Sequence, residues 1–246
     1  MSFLTKISGK IDRKLAQVVS VKTMACKFPK PVVSFTFDDC PRSAVTVGAD
    51  ILEKYGGRGT YYICGGLTNG FENALECQTE DDIRRIIDGG HELASHLFHH
   101  RRCEELTEED LREEIRLSKA YLARWETELD RPHFSYPFGS INLKSKKIVA
   151  QEFQTGRGIK AGLNTGNVDL ACLKAVALYA QDVSETLIRS WIDKAVMQNA
   201  WLIFYTHDVS DQPSDYGITP ALLNSAVKYA SEQDCALLPV RDAVSN

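Results

Sequence analysis

No apolar run in this chain approaches the ~20 residues a membrane-spanning helix requires, so no transmembrane segment is expected. The first 28 residues interleave lysines and an arginine with their apolar positions and lack the uninterrupted apolar stretch of a secretory leader. Basic residues are not in excess. Lys plus Arg is 29 against 33 Asp plus Glu, a net charge of −4, which leaves no basic surface for general nucleic-acid binding. The pair Arg101-Arg102 is too short to alter that. Seven cysteines, at 26, 40, 64, 77, 103, 172 and 235, are odd in number, irregular in spacing and without a CxxC. Neither a disulfide framework nor a Cys-ligated zinc site is expected, and a reducing compartment, the cytoplasm, fits best. Linkers, low-complexity tracts and internal repeats are missing too, which argues for one domain with a full core.

What is present is an alternation of strand-like and helix-like stretches. Strand-like runs fall at Val32–Phe37, Thr60–Cys64, Glu92–Ser95, His133–Tyr136, Val176–Tyr179, Leu202–Thr206 and Ala236–Val240. Helix-like runs fall at Val45–Tyr55, Thr79–Asp88, Thr107–Glu128, Lys144–Phe153, Ser184–Met197 and Thr219–Glu232. Thr107-x-x-Asp110 reads as a capping box, and Pro220 suits a first helical position. About seven βα units predict a parallel sheet closed or nearly closed into a distorted (β/α)7–8 barrel, with its function at the C-terminal strand ends. Residues 1–30 are expected as a helical extension packed on this domain (31–246), with Ile7, Ile11, Leu15 and Val18 or Val19 on one side. Peripheral docking to a membrane surface is the alternative for that helix.

Three of the expected strand ends carry chemistry. Val32–Phe37 runs into Asp38-Asp39, Tyr136 to Gly139 follows another strand, and Leu202–Thr206 ends at His207-Asp208. His96 and His100 are four apart and would share one face of a helical turn. With Asp39 they make a two-imidazole, one-carboxylate set that leaves a position open on a divalent ion, zinc being the expected one. Asp38 is then free to act as a base, although a helix-capping role near Ser43 is open to it. His99 reads as a neighbour. His91-Glu92 lacks the histidine a metalloprotease would need at Ser95.

These residues resemble the polysaccharide deacetylase family, the NodB-homology domain of carbohydrate esterases. Thr36-Phe37-Asp38-Asp39 resembles its first motif and His96-x-x-x-His100 its second. Phe134-Ser135-Tyr136-Pro137-Phe138-Gly139 resembles its third, and Ile203–Asp208 its last. The resemblance implies a distorted (β/α) barrel and metal-dependent removal of an acetyl group, N-acetyl by family frequency, from a saccharide. It implies one divalent ion on Asp39, His96 and His100, with Asp38 as base and His207 as acid. It also implies that the Phe138 backbone N–H holds the oxyanion, with Tyr136, Pro137 and Phe138 near substrate. Tyr205 and Tyr216 are further candidates for sugar contact.

The chain departs from the family pattern at four points. The third-motif arginine is Ser135, and Arg157 is expected to take its place beside Asp38. Leu97 stands where Ser or Thr is usual, and Cys40 where Gly is usual. No Asp-x-x-x-Trp motif is evident to support His207, for which Asp182, Trp191 and Asp208 are candidates. Rival readings are an allantoinase- or cyclic-imidase-like C–N hydrolase of the same fold, a two-His-one-carboxylate iron oxygenase, and a non-catalytic carbohydrate-binding relative. With no leader evident, an intracellular or lipid-linked glycan intermediate is the expected substrate.

Overall fold

The computed structural model describes residues 12–125 and 132–245. Eight short strands form one sheet with parallel pairing throughout. They are β1 (Val32–Asp38), β2 (Thr60–Ile63), β3 (Glu92–Ser95), β4 (Phe134–Ser135), β5 (Gly156–Arg157), β6 (Val176–Ala177), β7 (Trp201–Thr206) and β8 (Ala236–Leu237). The spatial order is β6-β7-β1-β2-β3-β4-β5, with β8 pairing to the start of β1. The sheet curls, because Leu173, just before β6, bridges to Arg157 of β5 at the opposite edge. The result is the curled parallel barrel expected from the βα alternation. β1 is buried at every position, as its sequence VVSFTFD, dense in β-branched and aromatic residues, demands of a central strand.

Helices α1 (Asp50–Lys54), α2 (Glu80–Asp88), α3 (Glu108–Leu122), α4 (Leu143–Glu152), α5 (Glu185–Gln198) and α6 (Pro220–Glu232) join the strands, and α7 (Val240–Ser245) follows β8. Their starts follow local chemistry. The side chains of Thr79, Thr107, Asn142, Ser184 and Thr219 each accept a hydrogen bond from a backbone N–H in the first turn. The expected box at Thr107 is only half made, since Asp110 accepts from the Thr107 hydroxyl rather than from its backbone; the reciprocal box forms at Thr79 with Asp82. The expected helix over Val45–Tyr55 divides into a π-helical segment, Ala44–Ala49, and α1. The stretch Thr107–Glu128 is helical only to Leu122, and its last residues lie outside those described.

The N-terminal segment differs from expectation. Ile7 and Ile11 lie outside the described residues. Residues 12–18 are helical, but it is Ala16 that is buried, while Leu15 and Val18 are exposed. Thr23–Cys26 is not helical: it pairs antiparallel with Gly166–Asp169 and ties the segment to the domain. Among the described residues no helix is long and apolar enough to cross a membrane.

One buried carboxyl lies away from the strand ends that carry the chemistry. Glu92, at the start of β3, is fully buried, and its Oε2 accepts from the Thr60 hydroxyl and the Arg241 backbone N–H, both at 2.8 Å. Burial pushes its carboxyl up to about 7, against the pull of those two donors. A carboxyl raised in the folded state contributes stability that is complete below its unfolded value, near 4.5, and lost as pH rises through about 7. Glu92→Gln should therefore gain stability over wild type as pH rises from 5 to 8, on the order of 2–3 kcal/mol. His133, 3.8 Å away, is held down at about 3 by burial and biases stability the opposite way. It is present in both proteins, so denaturant melts of the pair at each pH isolate Glu92. A difference that stays flat across pH would show that Glu92 is ionised throughout.

Candidate active site

Asp38 closes β1, and the chain then turns through two left-handed residues, Asp39 (φ +58°) and Cys40 (φ +50°). In an extended strand neighbouring side chains point apart; this turn brings both carboxylates into the barrel mouth. Cys40, where glycine is usual in the resembled motif, adopts the conformation that glycine adopts most readily. Its thiol is wholly buried, does not line the cavity, and is pushed well up by burial.

His96 and His100 are not on a helix. They sit on the loop after β3, where Leu97 (φ +62°) and His100 (φ +53°) are left-handed, so the rings converge through a loop turn rather than along a helical face. Each imidazole is tied back through Nδ1. His96 Nδ1 donates to the Ser135 carbonyl at 2.9 Å, with the Ser135 hydroxyl beside it. His100 Nδ1 donates to Glu72 Oε1 at 3.1 Å, and His207 Nδ1 to the Tyr216 carbonyl at 3.2 Å. In the neutral form of each ring these bonds place the proton on Nδ1 and leave Nε2 as a lone pair. All three Nε2 atoms face Asp39, at 3.4, 3.1 and 3.7 Å. Burial holds His96 down at about 3, neutral at physiological pH.

A carboxylate oxygen facing lone pairs has nothing to accept. Asp39 Oδ1 is buried and has no hydrogen-bond partner, and burial pushes this carboxyl up despite His100 and His207. The ligand atoms of Asp39, His96 and His100 lie within 4.8 Å of one another. Two imidazoles oriented by outer partners, with one orphaned carboxylate, are a donor set that fits a divalent cation.

Asp38 is in a different situation. Burial alone would raise its carboxyl, but the Arg157 guanidinium, aided by His96 and His207, overrides that and lowers it to about 2. Arg157 closes β5 and bonds both Asp38 oxygens; it lies between the rings of Tyr205, 4.7 Å from its Cζ, and Tyr62, at 5.2 Å. It thus stands where the resembled motif has an arginine at position 135. Ser135 has its own task, donating to Asp38 Oδ1 at 3.3 Å while holding His96. Ser135 thus supports the His96 ring in the absence of a serine or threonine at Leu97.

Other expectations need correction. Tyr136 does not line the cavity: its ring is buried against Phe134 and its hydroxyl donates to the Ala171 carbonyl, because β4 turns it into the core. Pro137 is buried as well and lies outside the cavity lining. Phe138 remains, 46% exposed and left-handed at φ +57°. Asp208 does not support His207; its carboxylate binds Ser214 instead. His99 turns away to Glu114, and His91 to Glu53. Sequence reasoning missed Glu72, on the hairpin Phe71–Glu72 with Leu75–Glu76, and also Tyr179 and Ile159. All three line the cavity of about 710 Å³ that holds Asp38, Asp39, His96, His100 and His207. No spacing signal marks them.

The polysaccharide deacetylase family model matches residues 25–154, just over half of the sequence. The chain belongs to the polysaccharide deacetylase family. Solved structures agree on the fold. The Xyl-CE4 domain of a multidomain xylanase from the hindgut metagenome of Trinervitermes trinervoides is 17% identical with a TM-score of 0.58, over 88% of this chain and 90% of that one. The Bc1960 peptidoglycan N-acetylglucosamine deacetylase is 16% identical with a TM-score of 0.60, over 89% and 91%. BA3943 from Bacillus anthracis, described as a CE4 family pseudoenzyme, is 14% identical with a TM-score of 0.57, over 88% and 66%. No curated protein matches the sequence. A polysaccharide deacetylase fold with these groups in its mouth supports a hydrolase acting on acetylated sugars.

Proposed function

We propose that this polysaccharide deacetylase homologue is an active, metal-dependent enzyme that hydrolyses an acetyl group, N-acetyl in preference, from a saccharide. The observation that supports this most directly is the contrast between the two adjacent carboxylates. Asp39 faces three Nε2 lone pairs with an orphaned oxygen, whereas Asp38 is held ionised by Arg157. One carboxylate needs a cation; its neighbour is ready for a proton.

Asp39, His96 and His100 would hold the ion. When bound, a divalent cation, zinc by the nature of the donors, supplies Lewis-acid polarisation of the acetyl carbonyl and makes a water more acidic. Asp38 takes the proton from the attacking water, its carboxylate aimed by Arg157 and Ser135. The Phe138 N–H is offered to the oxyanion from the left-handed turn after β4. His207, from the end of β7, would act as the imidazolium: Tyr216 accepts from Nδ1–H, the Nε2 proton goes to the departing amine, and the proton that Asp38 takes from the water restores the imidazolium after acetate leaves. Acetate and the free amino sugar are the products. The substrate is proposed to be an intracellular or lipid-linked glycan intermediate.

A pseudoenzyme is the reading to beat, since the fold includes one. Acetate release over a panel of N- and O-acetylated saccharides, with zinc-loaded protein and Asp38→Asn as control, decides between them. Release by wild type and a loss of about 10²–10⁴-fold in the variant are expected. A zinc-loaded protein that releases no acetate from any member of the panel would leave a binding module.

A further inference from the structure

Arg102, half of the basic pair that the catalytic reading leaves unused, lies on the wall of the same cavity. Its guanidinium carbon is 4.2 Å from the centroid of the Phe138 ring. The His100 ring stacks on Phe138 too, at 4.2 Å and 21°. Two groups that close to one centroid must occupy opposite faces, so His100, Phe138 and Arg102 form a three-layer stack running from the proposed metal site outward. Arg101 faces Glu114 at 3.9 Å, and Arg157 is committed to Asp38. Among the described residues, Arg102 has no carboxylate within ion-pair distance. The acids that share the cavity are Glu72, bonded to His100, and Asp215, with Asp38 and Asp39 at its floor.

A guanidinium held over an aromatic ring at this distance keeps N–H donors free for a ligand and has lost much of its side-chain freedom before any ligand arrives. Planar donors of that kind suit carboxylate or phosphate oxygens in pairs, which a neutral hydroxyl cannot match. The stack also sets the distance: an acetyl group beside Asp39 leaves Arg102 next to the far side of that sugar or to its neighbour. We propose that Arg102 is a specificity-determining residue and that the saccharide carries a negative charge, carboxylate or phosphate, adjacent to the acetylated position. This rests on the deacetylase reading for the chemistry, but not for the binding.

The test measures both. Calorimetric binding of three probes to metal-loaded Asp38→Asn protein separates affinity from turnover. The probes are neutral di-N-acetylchitobiose, a disaccharide of N-acetylglucosamine and glucuronic acid, and N-acetylglucosamine 1-phosphate. One anionic probe should bind roughly tenfold tighter than the neutral one, the low end for a charge-assisted pair because Arg102 is exposed. The gap should shrink with rising salt. Adding Arg102→Ala should close it, and Arg102→Lys, which keeps the charge but not the planar edge, should leave a smaller one. Whichever anionic probe shows the gap identifies carboxylate or phosphate. No gap, a gap that survives Arg102→Ala, or equal weakening of all three probes would overturn the proposal; the last would mean that Arg102 merely props Phe138. Acetate release by the wild type on the same probes is read separately. Arg102-dependent binding without acetate would end the deacetylase reading and leave this one standing.

Discussion

Arg157→Met lowers turnover by at least about 100-fold and destabilises the fold by about 3–5 kcal/mol. The size follows from what the substitution leaves behind. Asp38 is buried, and its guanidinium partner outweighs the burial that would otherwise push its carboxyl up. Without Arg157 a carboxylate sits in the barrel mouth with only Ser135 donating to it. It must then take up a proton or move, and either removes the base. The pH dependence carries the sign. A carboxyl held at about 2, below its unfolded value near 3.8, contributes stability that is present above the unfolded value and lost as pH falls through about 2. In the variant the carboxyl rises, so activity falls at mild acidity as the acid limb of the rate profile moves toward neutrality, while the stability deficit is largest near neutral pH and shrinks as acid protonates Asp38. Arg157→Lys keeps a charge but not the two-pronged contact and should recover part of the turnover. Denaturant melts and pH–rate profiles of the three proteins check this; a methionine variant with wild-type turnover and an unmoved acid limb would remove Arg157 from the site's working parts.

Stripping a bound metal should abolish turnover. Dialysis against a strong chelator should bring acetate release to background, and one equivalent of zinc should restore it. Elemental analysis should find about one ion per chain in the wild type and little in Asp39→Ala or His100→Ala, because the first keeps only two imidazoles and the second only one imidazole and the carboxylate, too few protein ligands to hold the ion. The melting temperature should rise on zinc addition for wild type and stay put for both variants, since a ligand that binds only the folded state stabilises it by mass action, about 2.7 kcal/mol at a hundredfold excess over Kd. This readout needs no substrate. Full turnover by demonstrably metal-free protein would refute the assignment of Asp39, His96 and His100 as ligands, and would return the barrel to the metal-independent C–N hydrolases.

The strands and helices were legible because each rests on a local signal. β1 announces itself through its run of β-branched and aromatic residues, Val32–Phe37, and α2, α5 and α6 through caps at Thr79, Ser184 and Thr219. β5 was not, because Gly156–Arg157 has no apolar residue and is followed by another glycine, whereas the equally short β4, β6 and β8 sit in apolar or aromatic runs. The hairpin that carries Glu72 is equally short. The approach of His96 and His100 was legible from their spacing, but the reason was not: spacing suggested a helical face, while two left-handed residues in a loop bring the rings together. A left-handed Leu or His leaves no mark in a sequence that would separate it from a helical one.

The sequence by itself determined the residue types and their order: adjacent carboxylates at one strand end, two histidines at another, a third histidine at the last. Chemistry of that kind survives in a string because neighbours in the chain supply it. What only the tertiary structure decided is the geometry by which distant groups reach each carboxylate and imidazole. Arg157 meets Asp38 across 119 positions and Ser135 reaches it across 97. Glu72 and Tyr216 fix the tautomers of His100 and His207 from loops with no signature. Those contacts depend on the curl of the sheet, which brings the ends of β1, β3, β4, β5 and β7 to one mouth. Curl is a sum of small twists over many strands and has no single residue as its cause.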